Sequence, residues 1–171
     1  MSGLTLTAGL SFSGGFTFTE APVYAAWFGG GGGSSPQYRS TVDRIIFATD
    51  TDTATVRGSL SAARKYLAAA GNDTYAWFGG GAAALSAYGS RVDRITYATD
   101  TATASVRGPL SLARYALAAA GNTTDGWFGG GAGGPVSTVD RITYATDTAT
   151  AAVRGPLSFN KSSLAAAGGI Q

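Results

Sequence analysis

Apolar and polar positions along this chain alternate in short bursts, not in long helical stripes. Tyr75-Ala76-Trp77-Phe78, Arg91-Val92-Asp93-Arg94-Ile95-Thr96-Tyr97 and Thr103-Ala104-Ser105-Val106-Arg107 each stop at a glycine or at an Asn/Asp/Thr turn signal. Bursts of that length, bounded by turn residues, predict strands. A further strand is expected over residues 64–71, turned by Asn72-Asp73-Thr74. The Ala-rich segments 67–70, 117–120 and 164–167 have helical propensity. They are short, however, lack a 3.6-residue apolar period and sit between Gly/Asn turns, so strands are expected there too.

The same order of strands recurs. Trp27-Phe28-Gly29-Gly30, Trp77-Phe78-Gly79-Gly80 and Trp127-Phe128-Gly129-Gly130 open three units of about fifty residues. Four short strands per unit is the arithmetic of a β-propeller blade, and stacked units bury a continuous core that one alone could not. The expected class is all-β: three tandem four-stranded blades over about 23–61, 62–111 and 112–158, with a closing strand at 162–168. The first unit is entered at its second strand, residues 24–28. Propellers usually need four to eight blades, so closure is expected between chains. Two copies would give six blades, with Leu164-Ala165-Ala166-Ala167 of one beside residues 24–28 of the other. A trimer is the competing stoichiometry.

Residues 1–22 read differently. Leu4-Thr5-Leu6, Leu10-Ser11-Phe12 and Phe16-Thr17-Phe18 repeat an apolar–hydroxyl–apolar triplet every six residues, spaced by glycine, with Glu20-Ala21-Pro22 as a linker. This β-prone arm is expected to serve attachment or oligomerisation, joining other proteins of an assembly through residues 1–20.

Composition narrows the chemistry. Charged residues make up only 13% of the 171 residues and net charge is +2, which favours packing against other chains and argues against nucleic-acid or anionic-membrane partners. Cysteine and histidine are absent, so disulfides, thiolate nucleophiles and Cys/His zinc sites are excluded and the commonest general base is missing. No eighteen-residue apolar run or secretory leader is visible, and synthesis in a cytoplasm is expected.

A di-glycine after an aromatic strand, then Ser-Thr-Val-Asp-Arg-Ile, a hairpin and Pro-Leu-Ser-x-Ala-Arg, is similar to the kelch repeat across residues 23–168. The chain differs from that pattern in placing Trp27, Trp77 and Trp127 directly before the glycines and Val56, Val106 and Val153 near the fourth strand. A kelch-like propeller fold is what the resemblance implies. The wording from Trp-Phe-Gly-Gly-Gly through Thr-Val-Asp-Arg-Ile-Thr-Tyr-Ala-Thr-Asp-Thr to Arg-Gly-Pro-Leu-Ser also resembles repeats in virion structural proteins of tailed phages, notably marine cyanophages. That resemblance implies a non-enzymatic virion component, in head decoration, tail or fibre, assembled as a homo-oligomer.

Candidate chemistry is sparse. The glycine runs 29–33, 79–81 and 129–131 lack the Lys-Ser/Thr of a phosphate loop and serve close backbone approach. Asp43-Arg44, Asp93-Arg94 and Asp140-Arg141, with Arg57, Arg107 and Arg154, recur at equivalent positions and are expected to form a salt-bridge network between blades, with no metal, cofactor or catalytic role. Asp50, Asp100 and Asp147 are expected to cap their own hairpin turns. The loops after the glycine runs vary most, and Tyr38 and Tyr88 on them are the candidate recognition residues. Stacking on a host-surface glycan is the second functional reading; packing against a neighbouring subunit is the first.

Overall fold

The computed structural model describes residues 24–84, 87–134 and 136–168. The amino-terminal arm expected over 1–22 lies outside them. The described chain is all-β, built from antiparallel sheets with no α-helix among the described residues.

The first sheet is a three-stranded meander of β1 (Ala25–Gly29), β2 (Val42–Ile46) and β3 (Thr55–Val56). The second joins β4 (Ala68–Gly71), β5 (Tyr75–Gly79), β8 (Val92–Thr96) and β9 (Ser105–Arg107). A small hairpin of β6 (Ala82–Ala84) and β7 (Ala87–Tyr88) projects from the loop between β5 and β8. The third sheet repeats the four-stranded order with β10 (Ala118–Gly121), β11 (Asp125–Gly129), β12 (Val139–Thr143) and β13 (Ala152–Arg154). Register is the same in all three sheets: Trp27, Trp77 and Trp127 sit opposite Arg44, Arg94 and Arg141, and Phe28, Phe78 and Phe128 opposite Asp43, Asp93 and Asp140. Because side chains alternate across a strand, the Trp/Arg row and the Phe/Asp row occupy opposite faces of each sheet.

Those two faces pack on neighbouring sheets, so the core lies between sheets. Val42, Leu60, Phe78 and Ile95 form one buried cluster, and Trp77, Leu110, Leu117, Phe128 and Ile142 the next. The glycine after each aromatic makes the approach possible. A Cβ on Gly29 would lie 2.7 Å from the Phe78 ring, and one on Gly79 would lie 2.8 Å from Phe128.

Two expected strands are changed by the tertiary structure. The strand foreseen over 64–71 shrinks to Ala68–Gly71, because Tyr66 has a left-handed φ of 61° and turns the chain. Ala116 and Ser163 repeat the kink, with φ of 54° and 53°. Left-handed backbone is uncommon outside glycine, so its recurrence in each unit marks a position that the packing imposes. The carbonyl two residues earlier is needed elsewhere: Arg64, Arg114 and Lys161 accept the Gly31, Gly81 and Gly131 amides at 2.9, 2.9 and 2.7 Å. Residues 162–168, expected to close a sheet of a second chain, make no strand pairing among the described residues. The expected third strand likewise ends early, and Tyr97–Thr99 becomes a 3₁₀ turn, as do Phe47–Thr49 and Tyr144–Thr146.

Candidate functional site

The first and second sheets each have a trailing face, carrying the tryptophan and two arginines, which meets the leading face of the following sheet. Trp27 stacks on Tyr97 at 3.9 Å and Trp77 on Tyr144 at 3.8 Å. The 3₁₀ turn that presents each tyrosine also presents an aspartate. Trp27 Nε1 donates to Asp100 Oδ2 at 2.9 Å, Arg44 Nη1 donates to the same oxygen at 3.2 Å, and Arg57 grips Oδ1 through Nε at 2.8 Å and Nη2 at 2.6 Å. In the next repetition Trp77 Nε1 and Arg94 Nη1 donate to Asp147 at 2.8 and 3.0 Å, with Arg107 Nε 3.5 Å away. Asp100 and Asp147 therefore do not cap their own turns, as expected from their hairpin position. Their carboxylates reach back to the preceding sheet because three donors there outbid local backbone amides.

A second network ties the connecting loops to the buried aspartates. Arg64 bridges Asp93 Oδ2 at 2.7 Å and the Phe78 carbonyl at 2.9 Å, while Ser61 Oγ donates to Asp93 Oδ1 at 2.6 Å. Arg114 does the same for Asp140 at 3.0 Å and the Phe128 carbonyl at 2.9 Å, with Ser111 Oγ at 2.7 Å. Adjacent Asp93 and Arg94 thus belong to different networks on different faces, and so do Asp140 and Arg141. In the first sheet, Asp43 is half-buried and meets no such serine–arginine loop among the described residues. Arg141 lies 3.4 Å from Asp125, and Arg154 is exposed.

At one end of the sheets the kinked loops form an aromatic mouth. Tyr38, Lys65, Tyr66, Tyr115, Ala116 and Ser163 line a cleft of about 370 Å³. Lys65 Nζ sits 4.8 Å from the Tyr38 ring centre and 5.1 Å from that of Tyr66, within cation–π range. Tyr88 packs its ring 5.4 Å from Tyr115 at the rim. Sequence reasoning singled out Tyr38 and Tyr88 but missed Lys65, Tyr66 and Tyr115. They are hidden in what reads as strand, and only the left-handed turn brings them out. The carboxylates of Asp100 and Asp147 were readable in principle, since Asp50, Asp100 and Asp147 recur once after each tryptophan.

No family model matches this chain, and no curated protein matches it. Among solved structures it is similar to YjhT, with a TM-score of 0.62 at 12% identity over 75% of this chain. The match spans 42% of the YjhT chain, less than half its length. That likeness gives the fold: an all-β, β-propeller-like arrangement of antiparallel sheets.

Proposed function

We propose that this chain is a non-enzymatic structural protein of a tailed-phage virion, decorating the head or forming part of a tail or fibre, with three kelch-like blades as its rigid body. The observation that carries this reading is where the recurring polar residues go. Asp100 and Asp147, with Arg44, Arg57, Arg94 and Arg107, join one sheet to the next, and Asp93 and Asp140, with Arg64 and Arg114, fasten the connecting loops to the sheets. The repeated chemistry of the chain is architectural. The low charge content and the likeness of the repeats to virion proteins point the same way, and residues 1–20 would join the body to other virion proteins. Mass spectrometry of purified particles, with labelled imaging of the chain on them, tests the reading. Its absence from intact particles would overturn it.

The aromatic mouth favours a second reading, a glycan-binding propeller for host recognition. Tyrosine faces beside a lysine suit sugar rings and their hydroxyls. Glycan-array binding lost in Tyr38→Ala or Tyr88→Ala would promote it over the structural reading.

A further inference from the structure

The contact that this molecule makes twice internally is left half-made at two further places, and the two halves match. On the leading face of the first sheet, Phe28 is 57% exposed, whereas Phe78 and Phe128 are 2% and 0% exposed against the glycines before them. On the trailing face of the third sheet, Gly129 has only Val139 and Leu157 near its free side, with no phenylalanine. Phe47, the counterpart of Tyr97 and Tyr144, is exposed on the first sheet, and half-buried Trp127 has no stacking partner among the described residues. Asp50 is exposed where Asp100 and Asp147 are buried, while Arg141 and Arg154 stand where Arg44 and Arg57 grip Asp100. Among the described residues, Ser158 and Lys161 stand exposed in the places of Ser111 and Arg114, facing no aspartate, and Asp43 meets no serine–arginine loop.

A Cβ on Gly58 would overlap the Ala102 carbonyl of the following sheet, and one on Gly108 would overlap that of Ala149. Those glycines are dictated by backbone arriving from the next unit. Gly155 repeats the glycine with nothing within 4 Å. The residue is shaped for a neighbour that the described residues do not supply.

The geometry points to a head-to-tail junction in which the trailing face of the third sheet receives the leading face of the first sheet of a second copy of this chain. Residues 164–168 then complete that copy's first sheet as its missing innermost strand, with Ala166 opposite Phe28, as Ala69 is opposite Phe78 and Ala119 opposite Phe128. A groove of about 590 Å³ beside Tyr24, Ala25, Trp27, Asn72 and Asp73 is where that strand lies. Two copies bring six such sheets together, within the four to eight blades over which propellers close. This deepens the assembly side of the reading above; its test needs only purified chain, so failure here leaves virion location standing, and absence from particles leaves the junction standing.

The mass of the full chain in solution at micromolar concentration is expected to be twice 17.1 kDa. A one-chain or three-chain species, or an open-ended polymer, overturns the two-copy ring. Gly155→Ala and Phe28→Ala are each expected to weaken association at least tenfold without altering the β spectrum of the chain. Mixing the two variants restores one intact junction per pair, because a ring of one head-damaged and one tail-damaged copy keeps an undamaged head against an undamaged tail. Variants that associate like the parent, or a mixture that recovers nothing, would rule out the head-to-tail arrangement.

Discussion

At Asp100 one carboxylate gathers an indole and two guanidinium groups, and its titration follows from that. Burial alone would raise it, but hydrogen bonds from Arg57 and Trp27 and the charges of Arg44 and Arg57 outweigh burial and hold it below the usual 3.8. The ionised form is thus favoured in the folded chain. Its contribution is complete above the unfolded carboxylate range and is lost as pH falls through the lower folded value. Urea unfolding between pH 5 and 2 is expected to show that loss in the parent and not in Asp100→Asn. Tyr97 behaves oppositely at the alkaline end. Burial foremost, aided by the charge of Asp73, pushes its hydroxyl from 10.0 up to about 12. The unfolded chain then gives up its proton first, so stability declines between pH 10 and 12, and Tyr97→Phe is expected to remove that component. Arg114→Ala leaves Asp140 buried without its partner, both side chains being 0% exposed, and is expected to cost about 3–5 kcal/mol in denaturant unfolding. Arg94→Ala should cost less, since Arg94 keeps 19% of its side chain in water.

At the scale of the element, local propensity and alternation made most strands legible. β5, β8 and β9 fall within the bursts expected over 75–78, 91–97 and 103–107, to within a residue or two at their ends. The Ala-rich segments 68–71 and 118–121 are strands although alanine favours helix, because small side chains let innermost strands of adjacent sheets approach closely, as Ala70 does with Gly121 and Gly126. What alternation could not reveal was the left-handed turn at Tyr66, Ala116 and Ser163. Nothing about those three residue types favours φ near 55°; hydrogen bonds linking the loops, such as Ala116 N to Tyr66 O at 2.8 Å, hold them there. The connecting glycines give a paired test at this scale. Gly108→Ala meets unyielding backbone and is expected to destabilise by roughly 1–3 kcal/mol or more. Gly155→Ala, measured by thermal melting at a concentration too low for copies to associate, is expected to stay within about 0.5 kcal/mol of the parent.

Across the whole molecule, stability resides in the seams between sheets, as in other arrays where each unit touches only its neighbours. Among the described residues, the second sheet is covered on both faces and the first and third on one each. Amide hydrogen exchange should therefore be slowest in β5 and β8 and fastest in β1, β13 and residues 161–168. The last three should slow as concentration rises if copies join. Periodicity along the chain was enough to dictate the all-β class of structure and the equivalent register of Trp27, Trp77 and Trp127, because strand alternation and turn chemistry are local properties. Which Asp meets which Arg was decided only by folding. Asp93 and Arg94 are neighbours in the chain yet serve opposite faces of a sheet, and their true partners, Arg64 and Asp147, lie 29 and 53 residues away. Alternate residues of a strand point apart, so adjacency in sequence enforces separation in space, and the pairing is settled by the sheets packed on either side.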